Sequence, residues 1–454
     1  MRNILVIGSG KSTSYLIWYL LDKSETEKLH ITIADIALEH AKKLIKNHPN
    51  ATTIKFDIFD DTTRKKAIKN ADIIISMLPA RFHIEVAKDC LNFDKNLVTA
   101  SYISDDMQAL NELVTKKNLV FMNEIGVDPG IDHMSAMQVI DRIRSKGGNM
   151  ILFESFTGGL VAPENDTNLW NYKFTWNPRN VVIAGQGGVA KFVQENTYKY
   201  IPYNRLFRRT EFLEVDGYGR FEAYANRDSL KYQSVYGLDT VKTLYRGTIR
   251  RVGFSRAWNI FVQLGMTDDS YIMEDSEHLS YRDFVNAFLP YSPSDSVELK
   301  FRHQLKIDQD DVVWNKFLEL DIFNPNKKIN LQKATPAQIL EHILMESWTL
   351  AEKDKDMIVM YHKFGYELNG KNHQIDSTMV TKGENQTYTA MAKTVGLPVA
   401  IATLAILNKK ITTPGVQRPI TKEVYTPILK ELESFDIKFT EKEVPYLGYN
   451  PLIL

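Results

Sequence analysis

The stretch from Asn3 to Asp35 constrains this chain more than any other. An apolar run, NILVIGSG (Asn3–Gly10), ends in Gly8-Ser9-Gly10. Helical spacing follows from Lys11 to about Asp22, and HITIAD (His30–Asp35) reads as a second strand closing on an acid. Strand, glycine turn, helix, strand and acid, in that order, form a dinucleotide-binding βαβ unit. Gly8 lets the chain turn sharply. Gly10 keeps the backbone open to a pyrophosphate, and the next helix offers N–H groups and its positive dipole end, so Gly8, Ser9, Gly10, Lys11 and Ser12 are candidate phosphate contacts. Asp35 stands near the expected spacing of about 20 residues for a ribose-binding acid. Its carboxylate suits free ribose hydroxyls and repels a 2′-phosphate, which favours NAD over NADP. Thr13 occupies the place of the third glycine, which serves only helix packing. Gly10-Lys11-Ser12 also mimics the end of a P-loop, but Leu5 stands where that motif needs glycine, which excludes a nucleoside triphosphatase on this motif.

The α/β alternation continues through Ala51–Asp57, Ala71–Pro79, Asn96–Tyr102 and Leu119–Gly126 as further strands with helices between them. Six strands predict a doubly wound parallel sheet of Rossmann type, ordered 3-2-1-4-5-6. Ligands bind at the carboxyl ends of such strands. That rule selects Gly8–Ser12, Asp35-Ile36, Leu78-Pro79, Ser101-Tyr102 and Glu124–Pro129, the last including Val127 and Asp128. Asp57 ends a strand on the adenine side. Each of these residues equally suits a helix cap or a turn.

Past Gly130 the pattern changes. Met134–Ser145 predicts a helix. Met150–Gly159, the segment around Val181–Ile183, Phe212–Ala225 and Lys242–Arg250 read as strands of a mostly antiparallel sheet. Met357–Leu368 and His373–Thr381 read as a hairpin around Asn369-Gly370, a pair suited to a type I′ turn. Thr387–Leu407 predicts a helix kinked or broken at Gly396 and Pro398. The expected organisation is a Rossmann-type domain over 1–129 completed by 385–454, an inserted α+β substrate domain over 130–266 and 353–384, and a small helical insert over 267–352.

Composition narrows the partners. The 454 residues carry 56 basic and 56 acidic side chains, so nothing points to nucleic acid or an anionic membrane. The single cysteine, Cys90, excludes an internal disulfide and fits a cytoplasmic setting. No signal peptide is expected ahead of a βαβ unit that starts at residue 3. The longest apolar stretch, near Val395–Leu407, falls short of the roughly 18 residues of a membrane helix. No His/Cys cluster has metal-ligand spacing, so no metal is expected.

Several segments carry a resemblance: MNEIGVDPGIDH (Met122–His133), GGLVAPE (Gly158–Glu164), YKFTW (Tyr172–Trp176), YANRDS (Tyr224–Ser229), YRGTIR (Tyr245–Arg250) and YTAMAKTVGLPVAIA (Tyr388–Ala402). In this order they resemble the saccharopine reductase family, the glutamate-forming saccharopine dehydrogenases. The resemblance implies a nicotinamide cofactor, NAD or NADP, a homodimer, and interconversion of saccharopine with glutamate plus 2-aminoadipate 6-semialdehyde. It implies that Ser101, Tyr102, Asp128, Arg227 and Thr248 lie around this small amino-acid substrate. The strand ends and Trp176 are implied to lie around the cofactor. Asp35 departs from the small or basic pattern of fungal NADP-using members.

Saccharopine has three carboxylates, so its site needs several fixed cations, for which arginine's planar fork is suited. Arg227, Arg246, Arg250 and Arg251 flank strand ends, although a solvated charged face is the expectation for Arg246 and Arg251. Oxidation of a secondary amine to an imine, followed by hydrolysis, asks for one general base. Asp128 is placed best for it, with Tyr102 and His133 next. His133 equally suits a packed residue at a helix start, and His83 is expected at the surface or beside the cofactor. The other readings are an amine-forming dehydrogenase with fewer substrate carboxylates, such as one making carboxynorspermidine, and a non-catalytic NAD-binding sensor.

Overall fold

The central strands are apolar runs buried on both faces, and the first six strands pair in parallel. In the computed structural model, which describes residues 1–446 and 448, they are β1 (Arg2–Ile7), β2 (Leu29–Asp35), β3 (Ala51–Lys55), β4 (Ile73–Ser76), β5 (Asn96–Val98) and β6 (Val120–Met122). The helices between and after them are α1 (Ser14–Asp22), α2 (Leu38–Ile45), α3 (Asp61–Asn70), α4 (His83–Asn92), α5 (Asp105–Ala109), α6 (Asn111–Lys116) and α7 (Ile131–Ser145). The sheet order is β3-β2-β1-β4-β5-β6, as expected from the alternation, extended by a seventh strand. That strand, Gly415–Gln417, pairs in parallel with β6, Val416 opposite Phe121. The sequence showed it only as a connector, because three residues between prolines carry no readable period.

The chain packs as two units, Met1–Gly148 with Met379–Thr440, and Asn149–Thr378 with the segment from Glu441. The first boundary falls at Gly148, beyond residue 129, because α7 packs on the helix Lys422–Leu432 of the same unit. A second falls between Thr378 and Met379, within the strand Lys371–Lys382, and a third after Thr440, where the strand Thr440–Val444 enters the sheet of the second unit.

The helix Ala390–Leu407 corrects two expectations. It runs unbroken through Gly396 and Pro398, and its 18 residues reach the length and apolarity of a membrane span. Its apolar residues are buried within the first unit, where it packs against α1. Gly396 serves that packing: a Cβ there would lie 2.7 Å from the backbone nitrogen of Leu16. Close approach of two helices is what the glycine provides.

The second unit is built on a mixed sheet. Its strand order is Thr210–Val215, Gly219–Ala225, Thr243–Arg251, Asn149–Val161, Asp356–Leu368, Lys371–Lys382 and Thr440–Val444. Thr243–Arg251 pairs in parallel with Asn149–Val161 and antiparallel with Gly219–Ala225. Asn369 (φ 53°) and Gly370 (φ 71°) both lie in the left-handed region that a type I′ hairpin turn requires. The segment around Val181–Ile183 is not a strand but part of the helix Pro178–Val182. Asn177 caps it, its side chain accepting from the Asn180 amide, and proline opens it. The helices between 281 and 348 share the core of this unit. Trp170 stacks on Phe261 (5.7 Å), meets Phe317 and Trp348 edge-on, and donates from Nε1 to the Lys316 carbonyl (2.9 Å).

Candidate active site

In the first unit the strand ends selected from the sequence come together at the carboxyl edge of one sheet. Gly8 has φ +97°, and a Cβ there would sit 3.0 Å from the Met77 carbonyl oxygen. Gly10 is different. Its φ is −69° and a Cβ would meet no protein atom within 4 Å. Neither backbone strain nor a neighbour demands glycine there, so its bareness suits a group brought to the turn, as a pyrophosphate would be. Lys11 is exposed and Ser12 half-buried at the turn leading into α1, as phosphate contacts should be.

Asp35 is fixed as an acceptor beside that turn. Its Oδ2 accepts from the Ser9 amide (2.6 Å) and the Ser9 hydroxyl (2.7 Å), and its Oδ1 accepts from the Ala37 amide (2.8 Å). A carboxylate has about four lone-pair sites. Three are filled within the protein, so Asp35 offers one free acceptor position beside the ribose rather than the pair expected for both hydroxyls. Ile36 is exposed at the same edge. Asp57 is exposed as well, and accepts from the Phe59 amide at 3.0 Å. Leu78 is half-buried and Pro79 exposed at the end of β4.

The ends of β5 and β6 carry the polar chemistry. The Tyr102 hydroxyl donates to Asp128 Oδ1 at 3.1 Å, and both residues are half-buried. Asp128 lies in a tight loop with Val127, which is buried. The Gly126 amide donates to the Pro129 carbonyl and the Asp132 amide to that of Val127. Gly130, φ +146°, closes this loop where a Cβ would overlap Gly126 backbone atoms.

Of the two histidines, His133 takes the packed place that was one of its two readings, and His83 lies not at the surface but buried beside Ser101. His133 is fully buried inside α7, its Nε2 3.0 Å from Glu124 and its Nδ1 3.5 Å from Asp132. It is a packed residue and not a general base open to substrate. His83, expected at the surface, is buried: Nδ1 meets the Ser76 hydroxyl at 2.8 Å and Nε2 the Ser101 hydroxyl at 2.7 Å. Burial lowers its pKa to about 4, so the ring is neutral and holds the half-buried Ser101 from behind.

Sequence reasoning did not find the role of Glu124, which is 1% exposed. Burial pushes its pKa up. The hydrogen bond and electrostatic pull of His133, the Arg418 guanidinium and the Ile103 amide outweigh that and bring it to about 2. Arg418 itself carried no sequence signal, because its partner is almost three hundred positions away.

In the second unit, Arg246, Thr248 and Arg250 alternate along one strand and so share a face of the sheet. Arg246 and Arg250 are each 5% exposed, which overturns the solvated reading for Arg246. Arg251, on the opposite face, is half-buried over the Phe221 ring. Arg250 sits among the rings of Tyr172 (5.0 Å), Phe254 (5.3 Å) and Tyr224 (5.8 Å). Its Nη1 donates to the Ile249 carbonyl and its Nε has no acceptor; among the described residues no carboxylate pairs with it. A buried cation without a counter-charge is costly, so this one is suited to an anionic ligand. Thr248 is half-buried beside Thr157, whose hydroxyl also lacks a partner. Arg227 is the exposed arginine, in a left-handed turn (φ 52°) just past Ala225. Trp176 is half-buried in the loop before Pro178. One exposed group, Asp275, Glu277 and His278, has ligand atoms within 4.8 Å of one another, a spacing the sequence did not reveal. Asp275 and His278 already satisfy each other at 2.5 Å.

Comparison with known proteins gives the chain a family. Residues 4–122 match the family model described as saccharopine dehydrogenase NADP binding domain, and residues 126–437 match the saccharopine dehydrogenase C-terminal domain. The chain is 32% identical to saccharopine dehydrogenase [NADP(+), L-glutamate-forming] of Schizosaccharomyces pombe, over 97% of this chain and 99% of that protein. It is 31% identical to the mitochondrial alpha-aminoadipic semialdehyde synthase of Rattus norvegicus, over 96% of this chain but 47% of that longer protein. The solved structure of apo histidine-tagged saccharopine dehydrogenase (L-Glu forming) from Saccharomyces cerevisiae superposes with a TM-score of 0.87 at 31% identity, covering 98% of this chain and all of that one. With both domain models matched in order and relatives aligned end to end, the chain belongs to the saccharopine dehydrogenase family.

Proposed function

We propose that this enzyme oxidises saccharopine to glutamate and 2-aminoadipate 6-semialdehyde, with NAD as its preferred cofactor. The observation that carries the reaction is the pairing of family membership over the whole chain with the Arg246–Thr248–Arg250 row. A substrate with three carboxylates needs such cations, and Arg250 has no carboxylate partner among the described residues. Gly8–Ser12, Asp35, Ile36 and the β4–β6 ends would hold the dinucleotide. Its nicotinamide, when bound, supplies the hydride acceptor.

The protein's own residues then have defined tasks. Asp128, which accepts a hydrogen bond from the Tyr102 hydroxyl at 3.1 Å, takes the proton of the substrate amine and passes it to solvent, then takes one from the attacking water and returns it to the departing amine nitrogen. The Ser101 hydroxyl, held by neutral His83, orients the substrate from the end of β5. In the second unit, taken by itself, the arginine row and Thr248 supply the cations and hydroxyl that substrate carboxylates need.

The cofactor preference rests on Asp35. The Schizosaccharomyces pombe relative carries NADP in its name and the family model over residues 4–122 is described as NADP binding, whereas here a carboxylate anchored by Ser9 and Ala37 stands at the expected ribose position. A 2′-phosphate brought to it meets like charge. The test is absorbance of the reduced nicotinamide with saccharopine and each cofactor in turn. Turnover with NAD at least tenfold above NADP is expected. Turnover with NADP alone refutes the role of Asp35, and NAD binding without turnover refutes the substrate.

A further inference from the structure

We infer that Glu124 is the positioning residue that sets the Tyr102–Asp128 pair, with Arg418 as its counter-ion. This rests on the reaction proposed above. Glu124 closes β6 with φ +54°, a conformation an L-residue adopts at a cost and keeps only where its surroundings fix it. Its backbone amide donates to the Ser101 carbonyl at 3.0 Å, and its Oε1 accepts from the Ile103 amide at 3.1 Å. Tyr102 is therefore held between two neighbours that are both tied to one residue.

The same carboxylate reaches the other loop. Its Oε2 meets His133 Nε2 at 3.0 Å, in the first turns of α7. That helix start is hydrogen-bonded back onto the Asp128 loop, through the Ile131 amide to the Gly126 carbonyl and the Asp132 amide to the Val127 carbonyl. Arg418 Nε, following the seventh strand, donates to Oε1 at 3.0 Å from a guanidinium that is 26% exposed. One buried carboxylate thus joins the end of β5, the end of β6, α7 and the C-terminal segment. The hydroxyl-to-carboxylate distance of Tyr102 and Asp128 is the result of those joints. A displacement of about 1 Å at such a pair is enough to cost about a hundredfold in rate.

The full-length enzyme and the variants Glu124→Ala, Glu124→Gln, Arg418→Met and Tyr102→Phe test this. Glu124→Ala is expected to lower kcat about a hundredfold, with NAD affinity unchanged within threefold. Glu124→Gln, which keeps an acceptor for Ile103, is expected to recover at least tenfold of that loss. In the Tyr102→Phe background Glu124→Ala is expected to cost less than fivefold, because the geometry it protects is already gone. Losses that multiply independently, or an unchanged kcat in Glu124→Ala, overturn the inference. If Glu124→Ala does not fold, Arg418→Met is read in the same cycle, with about a tenfold loss expected alone and none in Tyr102→Phe. If the wild type does not turn over saccharopine, the function falls separately. Hydrogen exchange at Ile103 and in 126–130 then decides: faster exchange in Glu124→Ala at both supports the inference, and no change overturns it.

Discussion

His83 gives a stability signal that can be worked out in advance. Its imidazole is buried between Ser76 and Ser101, and burial lowers its pKa from 6.5 to about 4. A lowered histidine pKa means that the unfolded chain takes up the proton first as pH falls. The neutral ring therefore contributes its full share of stability above pH 6.5, and loses it between 6.5 and 4. From those two values the loss is on the order of 1 kcal/mol by pH 5.5 and about 2 kcal/mol by pH 5.0, approaching about 3 kcal/mol below pH 4. The perturbation is His83→Gln, which removes the titrating group and keeps a polar side chain. The assay is urea unfolding of wild type and variant at pH 7.5, 6.5, 5.5 and 5.0, read by hydrogen exchange of β4 and β5 amides so that the first unit alone is followed. The variant is less stable at pH 7.5, having lost one or both hydroxyl contacts. The gap must then narrow by about 2 kcal/mol on going to pH 5.0, other titrating groups cancelling in the difference. A gap constant within about 0.5 kcal/mol over that range would show that the ring is not held neutral, and the argument for a fixed Ser101 would go with it.

Other substitutions separate local roles. Asp35→Ser is expected to raise the NADP/NAD ratio of kcat/KM by at least tenfold, mostly through NADP affinity; an unchanged ratio refutes the reading of the ribose end. Gly10→Ala is expected to leave the melting temperature within 2 °C while weakening NAD binding more than tenfold, since only a ligand meets the added methyl. Gly396→Ala must instead destabilise, by roughly 1–3 kcal/mol, because the methyl meets the Leu16 backbone; a neutral result in denaturation would mean that the two helices part easily. Arg250→Met should raise KM for saccharopine well over tenfold without loss of stability, as removal of an unpaired buried cation is neutral or stabilising.

Much of the first unit was legible because its strands are apolar runs punctuated by glycine, aspartate or proline, and their order follows from alternation alone. The edge that gathers Gly8, Asp35, Ser101 and Asp128 follows from the same rule. What escaped depended on burial or on distant partners. Pro398 reads as a break, yet the close fit of Gly396 on α1 and the surrounding core keep the helix whole. Val181–Ile183 has a strand's composition, but Asn177-Pro178 supplies the cap that makes it a helix. Arg246 looked like a solvated charge, although its spacing of two from Thr248 and four from Arg250 already put all three on one face. His83 and Glu124 gave no pattern at all, since their partners Ser101 and Arg418 are set only by the packed sheet.

The seventh strand has a consequence for the order in which the chain assembles. Gly415–Gln417 lies beside β6, and Arg418 just after it neutralises Glu124. A chain emerging from the ribosome has made all six earlier strands, and the whole of 149–378, before that partner exists. Until then β6 is an open edge and Glu124 lacks its arginine. The inserted unit has its long strands in hand by residue 382 and waits only for the edge strand Thr440–Val444, whereas the nucleotide-binding unit, begun earliest, still lacks its seventh strand at that point. Truncation ahead of residue 415 would therefore remove cofactor binding by way of an exposed, association-prone sheet edge, while every residue of the glycine turn is still present.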